Sequence, residues 1–412
     1  MNSLIGGENM ELLKSNEVER MTVGATHTAK EIAQQPRLWR ETKEIILTNR
    51  DRILSFINNI ERKYDQVRVI LTGAGTSAFV GDTVLPHLKQ IVNNKKIVVE
   101  SIATTNIVSN PHYYLDKNFP TIMISFARSG NSPESLAAVQ LGEKIIDDFY
   151  GIIFTCNQDG LLAVNKKNDE KHLVIYMPED ANDQSFAMTS SFTTMLLSVL
   201  LLFHIEQIHK FESTIEDLIS AGDSIIKESE NSLKELAASS FSKVVYLGSG
   251  VFEGLAREAS LKLLELTGGT IPSSFDTSLG FRHGPKSILD KETVVFVFLS
   301  SNSYTRKYDL DILEEIYRET DRGKVVAISS LKDETAENYS DLFYYANLPE
   351  INDDILLTFP YILYAQIFAM YKSINLGFFP DNPSPSGVVN RVVKGVTIHP
   401  FVNELNNGGE LS

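Results

Sequence analysis

At 412 residues the chain exceeds a single core, which usually stops growing near roughly 250 residues, and suits two domains of similar size. Hydrophobic content of 43%, with 22% charged and 9% aromatic residues, places it among globular proteins and away from the disordered and membrane classes. The formal charge of −15 and the lack of a Lys/Arg-rich run exclude the usual footprint of a nucleic-acid or anionic-membrane partner; a phosphorylated small molecule stays open, because backbone N–H groups and hydroxyls bind phosphate locally.

In chain order, Met1 to Lys14 has no basic stretch followed by an apolar one, so no signal peptide is expected and the cytoplasm is the default compartment. From Glu11 to Glu61 the apolar residues Trp39, Ile45, Ile46, Ile53, Phe56, Ile57 and Ile60 recur at helical spacing, which predicts an N-terminal helical arm over 1–60. β-Branched clusters then alternate with helical stretches, at Val67 to Leu71, Ile97 to Val99, Thr121 to Ile124, Gly151 to Phe154 and Leu173 to Tyr176. Such alternation predicts a parallel sheet with helices on both faces. The single cysteine, Cys156, ends an apolar run and reads as a buried thiol; it excludes an internal disulfide. The longest apolar run, Met195 to Phe203, is about half the ~20 residues of a membrane span.

Thr193 to Ala237 carries no strand signal and should link two halves. The pattern then restarts: Val244 to Leu247 leads into Gly248-Ser249-Gly250 as Val69 to Thr72 leads into Gly73-Ala74-Gly75, 175 residues earlier. Further strands are expected at Val294 to Leu299 and Val325 to Ser329. The expected fold is α/β with duplicated units over 61–220 and 221–380 and a tail over 381–412; ligands in such units gather at the carboxyl ends of the strands.

Four constellations could carry chemistry. Gly73-Ala74-Gly75-Thr76-Ser77 sits at a strand-to-helix turn, where glycines admit a ligand to the backbone and Thr76 and Ser77 add donors beside a helix N-terminus; a merely structural turn is the alternative. In Arg128-Ser129-Gly130-Asn131-Ser132-Pro133-Glu134-Ser135, the hydroxyls of Ser129, Ser132 and Ser135 recur every three residues, a geometry for gripping phosphate, although a serine-rich N-cap before Pro133 explains part of it. Glu258, Lys262 and Glu265 share one helical face, either as an acid/base site or as a solvated salt-bridged face. His283 lies in the glycine-flanked segment Gly280-Phe281-Arg282-His283-Gly284-Pro285, the setting of a functional histidine. The other histidines show no metal-ligand spacing, so neither a metal nor a cofactor is expected.

These motifs in this order resemble the sugar isomerase (SIS) family, most closely its tandem members, which include the isomerase half of glutamine:fructose-6-phosphate amidotransferase. The opening segment Lys30-Glu31-Ile32-Ala33-Gln34-Gln35-Pro36 and the terminal Val393-Lys394-Gly395-Val396-Thr397 complete the likeness. Phe186 to Thr193 and Gly280 to Pro285 look most like the galactosamine-6-phosphate deaminase/isomerase subgroup, also described as tagatose-6-phosphate ketose/aldose isomerases. The resemblance implies two tandem SIS domains in a homodimer or higher homo-oligomer that acts on a sugar phosphate. It implies phosphate binding by Ser129 and Ser132 with Thr76 and Ser77, a C2 base at Glu265, a ring-opening His283 and a substrate-side Lys394; Arg128, Ser135, Glu258 and Lys262 are further candidates for binding the substrate or its phosphate.

The implied reaction converts an amino-hexose 6-phosphate, with D-galactosamine 6-phosphate the best fit, to tagatose 6-phosphate and ammonia. Plain aldose–ketose isomerisation is the alternative, since the acid/base residues would be the same. A sugar-phosphate sensor is a third, though it would need the serine loops without Glu265, His283 and Lys394. Ala74 and Ala127 depart from substrate-touching side chains of the amidotransferase, which bears on fine specificity.

Overall fold

The computed structural model describes residues 11–384, 387, 390, 391, 393 and 395–402. The arm forms α1 (Glu17–Thr22), α2 (Thr26–Ala33), α3 (Gln35–Thr48) and α4 (Arg50–Glu61). The first repeat follows as β1 (Val67–Thr72), α5 (Thr76–Ile91), β2 (Ile97–Ser101), α6 (Thr104–Ser109), α7 (Pro111–Tyr114), β3 (Thr121–Ala127), α8 (Pro133–Ile145), β4 (Phe149–Thr155), α9 (Leu161–Lys166) and β5 (His172–Tyr176). Then come α10 (Ser190–Phe203), α11 (Glu212–Glu228) and α12 (Glu230–Ala238). The second repeat runs β6 (Lys243–Gly248), α13 (Val251–Leu266), β7 (Ser273–Asp276), β8 (Thr293–Phe298), α14 (Thr305–Tyr317), β9 (Val325–Ser329), α15 (Glu334–Asn338), β10 (Leu342–Tyr345) and α16 (Asp354–Asn375).

Both sheets are parallel, five-stranded and built in the same order, β2-β1-β3-β4-β5 and β7-β6-β8-β9-β10. Even the register repeats: Arg68 pairs with Thr121 between β1 and β3, and Lys243 with Thr293 between β6 and β8. The duplication expected from the glycine turns is therefore present. In each sheet the order reverses between the first and third strands, which opens a crevice at their carboxyl ends.

The turns entering α5 and α13 match as well. Gly75 (φ 56°, ψ −130°) and Gly250 (φ 63°, ψ −121°) hold a left-handed conformation that a side chain would strain, and each is the N-cap of its helix.

Alternate strand residues face opposite ways. Val69, Leu71, Val244 and Tyr246 enter one continuous core between the sheets, while Ile70 and Val245 enter separate cores on the outer faces. Helix α16 packs within the central core against α11, α12 and α13. It is long and apolar enough to cross a membrane, yet 94% of its apolar window is buried inside the protein.

One inter-repeat contact sets up the site. Where α5 crosses α13, a Cβ added at Gly254 would lie 2.6 Å from the Thr83 Cα, so only glycine admits this approach. Arg257 Nη1 bonds Asp82 Oδ2 at 2.8 Å across the same crossing.

Two strands, β7 and β10, escape the sequence reading. Both are four-residue strands at the ends of the second sheet, and neither carries a long β-branched run. The strandless stretch from Thr193 to Ala237 is helical as expected, but the chain bends by 118° between α10 and the helical segment that begins at Ile205.

Candidate active site

The crevice of the first sheet contains a cavity of about 200 Å³ lined by Thr76, Ser77, Arg128, Ser129, Ser132, Ser135 and Glu265. Two strand ends supply most of it. Thr76 and Ser77 open α5 behind Gly75, and Arg128 to Ser132 follow β3. Both readings of the serine loop hold at once: Ser132 is the N-cap of α8 with Pro133 at its first position, yet its side chain makes no capping bond. Asn157 Nδ2 donates to the Ser129 carbonyl at 2.9 Å and fixes the loop.

Cationic groups border this cavity despite the acidic chain. The Arg128 guanidinium donates to the Arg391 carbonyl at 2.6 Å and to the Phe186 carbonyl at 3.4 Å. Arg391 also lines the cavity, and its Nε is buried without a hydrogen-bond partner. Burial, and then the nearby Arg128, hold the Arg391 guanidinium below its ordinary pKa, a cost that a bound anion would offset.

The face of α13 shared by Glu258, Lys262 and Glu265 is not solvated. Lys262 and Glu258 are fully buried at the α5 crossing, and Glu265 is partly exposed toward the cavity. The Lys262 ammonium lies 2.6 Å from Glu265 Oε2, 2.8 Å from Thr76 Oγ1 and 3.3 Å from Glu258 Oε1. Thr76 Oγ1 donates in turn to Glu258 Oε1 at 3.2 Å. Burial pushes the Glu258 carboxyl up to about 8 against the pull of Lys262. Burial draws the Lys262 pKa down, but the two carboxylates outweigh it and leave the ammonium raised. With Glu258 neutral, the buried charges reduce to one pair, Lys262 with Glu265, and no excess anion is desolvated.

The structure thus brings together all the predicted groups of the first repeat with the three of α13. His283 stands apart: it is exposed, follows the 3₁₀ turn Gly280–Arg282, and does not line the cavity of its own chain. Lys394 lies outside the described residues.

Sequence reasoning assigned no role to Phe186, Met188, Asn390 and Arg391, which also line the cavity. Phe186 and Met188 sit on a loop braced by two buried acids. Glu31 accepts from Ser185 Oγ and the Gln184 N–H, while Asp183 accepts from the N–H groups of Thr189, Ser190 and Ser191 at 2.9–3.0 Å. Asp183 satisfies the first N–H groups of α10 from six residues before the N-cap Thr189, whose own side chain makes no capping bond, so no local capping pattern in the sequence marks this loop. Arg391 belongs to the tail, which only the tertiary fold returns to the crevice.

Cys156 is buried just past β4, and burial raises its thiol pKa, so it has the inert character expected. Among the described residues, Glu143, Asp169 and His172 lie near enough together to hold a cation. The Lys166 ammonium already bonds Glu143 and lies 3.9 Å from Asp169 Oδ2, so the group forms a salt-bridged cluster.

The SIS domain profile matches residues 64–205 and 238–375. The chain is 43% identical to D-galactosamine-6-phosphate deaminase AgaS of Shewanella sp. strain ANA-3 over 397 residues, 96% of this chain and 97% of that protein. It is 41% identical to D-galactosamine-6-phosphate deaminase AgaS of Escherichia coli O157:H7, over 91% of this chain and 96% of the relative. The crystal structure of tagatose-6-phosphate ketose/aldose isomerase from Escherichia coli superposes with a TM-score of 0.82 at 36% identity, over 94% of this chain and 98% of that one.

Proposed function

The chain belongs to the SIS domain family, and from that premise we propose that it is a deaminating isomerase that converts D-galactosamine 6-phosphate to tagatose 6-phosphate and ammonia. The observation that carries the chemistry is the Lys262–Glu265 pair at 2.6 Å on the wall of a hydroxyl-lined cavity. Ser77, Ser129 and Ser132 hold the phosphate, with the Arg128 guanidinium adding positive charge beside them.

His283 moves a proton between O5 and O1 to open the pyranose. Glu265, held by Lys262, removes the C2 proton, and a proton is delivered to C1, steps worth about 10²–10⁴-fold each. The resulting C2 imine adds water, and ammonia leaves to give the 2-ketose. Were C2 to carry oxygen, the same groups would perform plain isomerisation, the activity named for the Escherichia coli structural relative.

The family resemblance implies a homodimer in which the partner subunit supplies this histidine, and the exposure of His283 outside its own chain's cavity supports that reading. Lys394, outside the described residues, keeps the substrate-side role that the family resemblance implies. The cytoplasm is the compartment proposed for this enzyme.

Incubating purified protein separately with galactosamine 6-phosphate, glucosamine 6-phosphate and tagatose 6-phosphate, while assaying ammonia and ketose, tests the assignment. Ammonia and tagatose 6-phosphate should form in equal amounts from the galacto substrate. Aldose formation from tagatose 6-phosphate without any ammonia from either amino sugar would replace deamination by isomerisation.

A further inference from the structure

The two crevices are equivalent in backbone and opposite in chemistry. Ala74 and Ser249 hold the same place between paired glycines, and Ala137 and Asp309 are each the fifth residue of the helix after the third strand of their sheet. In the first repeat those two positions carry methyl groups, and the crevice is open. In the second, Asp309 is fully buried and accepts from Ser249 Oγ at 2.9 Å, from the Ser300 N–H at 3.0 Å and from Ser278 Oγ. A second carboxylate, Asp354, accepts from Ser300 Oγ at 2.5 Å and from the N–H and Oγ of Ser301 at 2.7 Å each. The donors around the end of β8 therefore serve the chain's own acids, and a phosphate entering there would meet two carboxylates.

What this arrangement holds in place is the loop after β7. Ser278 is fully buried on Asp309, and five residues on stands His283. Between them Phe281 is buried in the outer core, Arg282 Nε bonds Glu315 Oε2 at 2.7 Å, and the His283 N–H bonds the Gly280 carbonyl at 2.8 Å. Lys286 bonds Glu315 and, at 2.7 Å, Glu319. Asp309, Glu315 and Glu319 all belong to α14 or its end, so one helix carries the whole turn. The two outer links are partly exposed and screened by solvent, whereas the Ser278–Asp309 bond is shielded and is the stronger constraint.

We propose that Asp309 takes the place of a bound anion in the second crevice and, through Ser278, positions the turn that presents His283 for ring opening. The inference rests on the reading of His283 given above. It also implies one phosphosugar site per chain, in the first repeat.

The test separates ring opening from C–H chemistry. A 5-deoxy ketose 6-phosphate has no O5 with which to close a ring, so exchange of its C1 protons with D₂O needs the base Glu265 and not His283. Asp309→Ala, which installs the residue of the first repeat, and Ser278→Ala, which removes only the linking hydroxyl, should each lower turnover of the cyclic aminosugar phosphate by about 10–100-fold, the scale of an ångström-sized misplacement. Both should exchange the acyclic analogue within about threefold of wild type, as should His283→Ala, whereas Glu265→Gln loses both activities. If His283→Ala lowers cyclic turnover but Ser278→Ala and any folded Asp309→Ala do not, the positioning role is overturned while the reading of His283 stands. If Ser278→Ala depresses both activities equally, the bond is merely structural and the proposal is overturned. Unchanged cyclic turnover in His283→Ala would overturn the reading of His283 and the inference with it.

Discussion

Lys262 Nζ lies 2.6 Å from Glu265 Oε2, and the ammonium is fully buried while the carboxylate reaches the cavity. A charge-assisted bond from a buried and therefore immobile donor fixes the direction in which Glu265 presents its lone pairs. Glu265→Gln keeps the shape and removes the basicity. It should lower kcat by about 10²–10⁴-fold with little change in KM. Deuterium from D₂O at C1 of the ketose, or at C2 of recovered substrate, reads the step directly, and exchange at the wild-type rate in the mutant would place the base elsewhere.

The serine loop should act on binding more than on rate. Removing both hydroxyls in Ser129→Ala with Ser132→Ala weakens the phosphate grip equally in ground and transition states, so KM should rise by about tenfold or more and kcat should change less. Steady-state kinetics check this, and an unchanged KM would remove the loop from the phosphate site.

Complementation examines the shared site. Glu265→Gln and His283→Ala proteins, each inactive alone, should regain activity when mixed under subunit exchange, because a hybrid dimer holds one site with both residues intact. Absence of recovery despite exchange seen by mass spectrometry would put both groups in one chain.

Buried Glu258 predicts a pH dependence with a definite sign. Its carboxyl is pushed up to about 8 from 4.5, chiefly by burial, so between these values the folded protein keeps a proton that the unfolded chain has released. The stability it contributes is full below its unfolded pKa and is lost as pH rises toward about 8. Glu31, pushed up to about 8 by burial and Asp183, acts in the same direction. Melting temperature should fall across this window, and Glu258→Gln should make the fall shallower. A slope identical to wild type would mean that Glu258 is ionised throughout.

Gly254→Ala should destabilise, against the trend for helices. Alanine favours a helix by about 0.8–1 kcal/mol over glycine, but here its Cβ would meet the Thr83 Cα at 2.6 Å, and backbone cannot swing aside. Overpacking of this kind costs about 1–3 kcal/mol. Since α5 carries Thr76 and α13 carries Lys262, kcat/KM should drop together with the melting temperature. A stabilised, fully active variant would show the helices free to separate.

The duplicated architecture is legible in the sequence, because strands buried on both faces need continuous β-branched runs and a strand-to-helix turn at Gly75 or Gly250 needs a residue that tolerates positive φ. So is the serine loop, whose local spacing survives folding intact. The short end strands β7 and β10 were not legible, having little apolar surface to mark them. Which of two similar crevices is open emerges only in three dimensions, since Asp309 acquires meaning from the serines that folding brings to it from three strand ends. Folding likewise buries the Glu258–Lys262–Glu265 face: helical periodicity fixes which residues share a face, but what covers that face is set by α5, 175 residues away in the duplicated pattern and brought close by Gly254. The separation of His283 from Glu265 is of the same kind, because residues 18 positions apart in the chain are placed by the course of β7 and α14 and not by local preference.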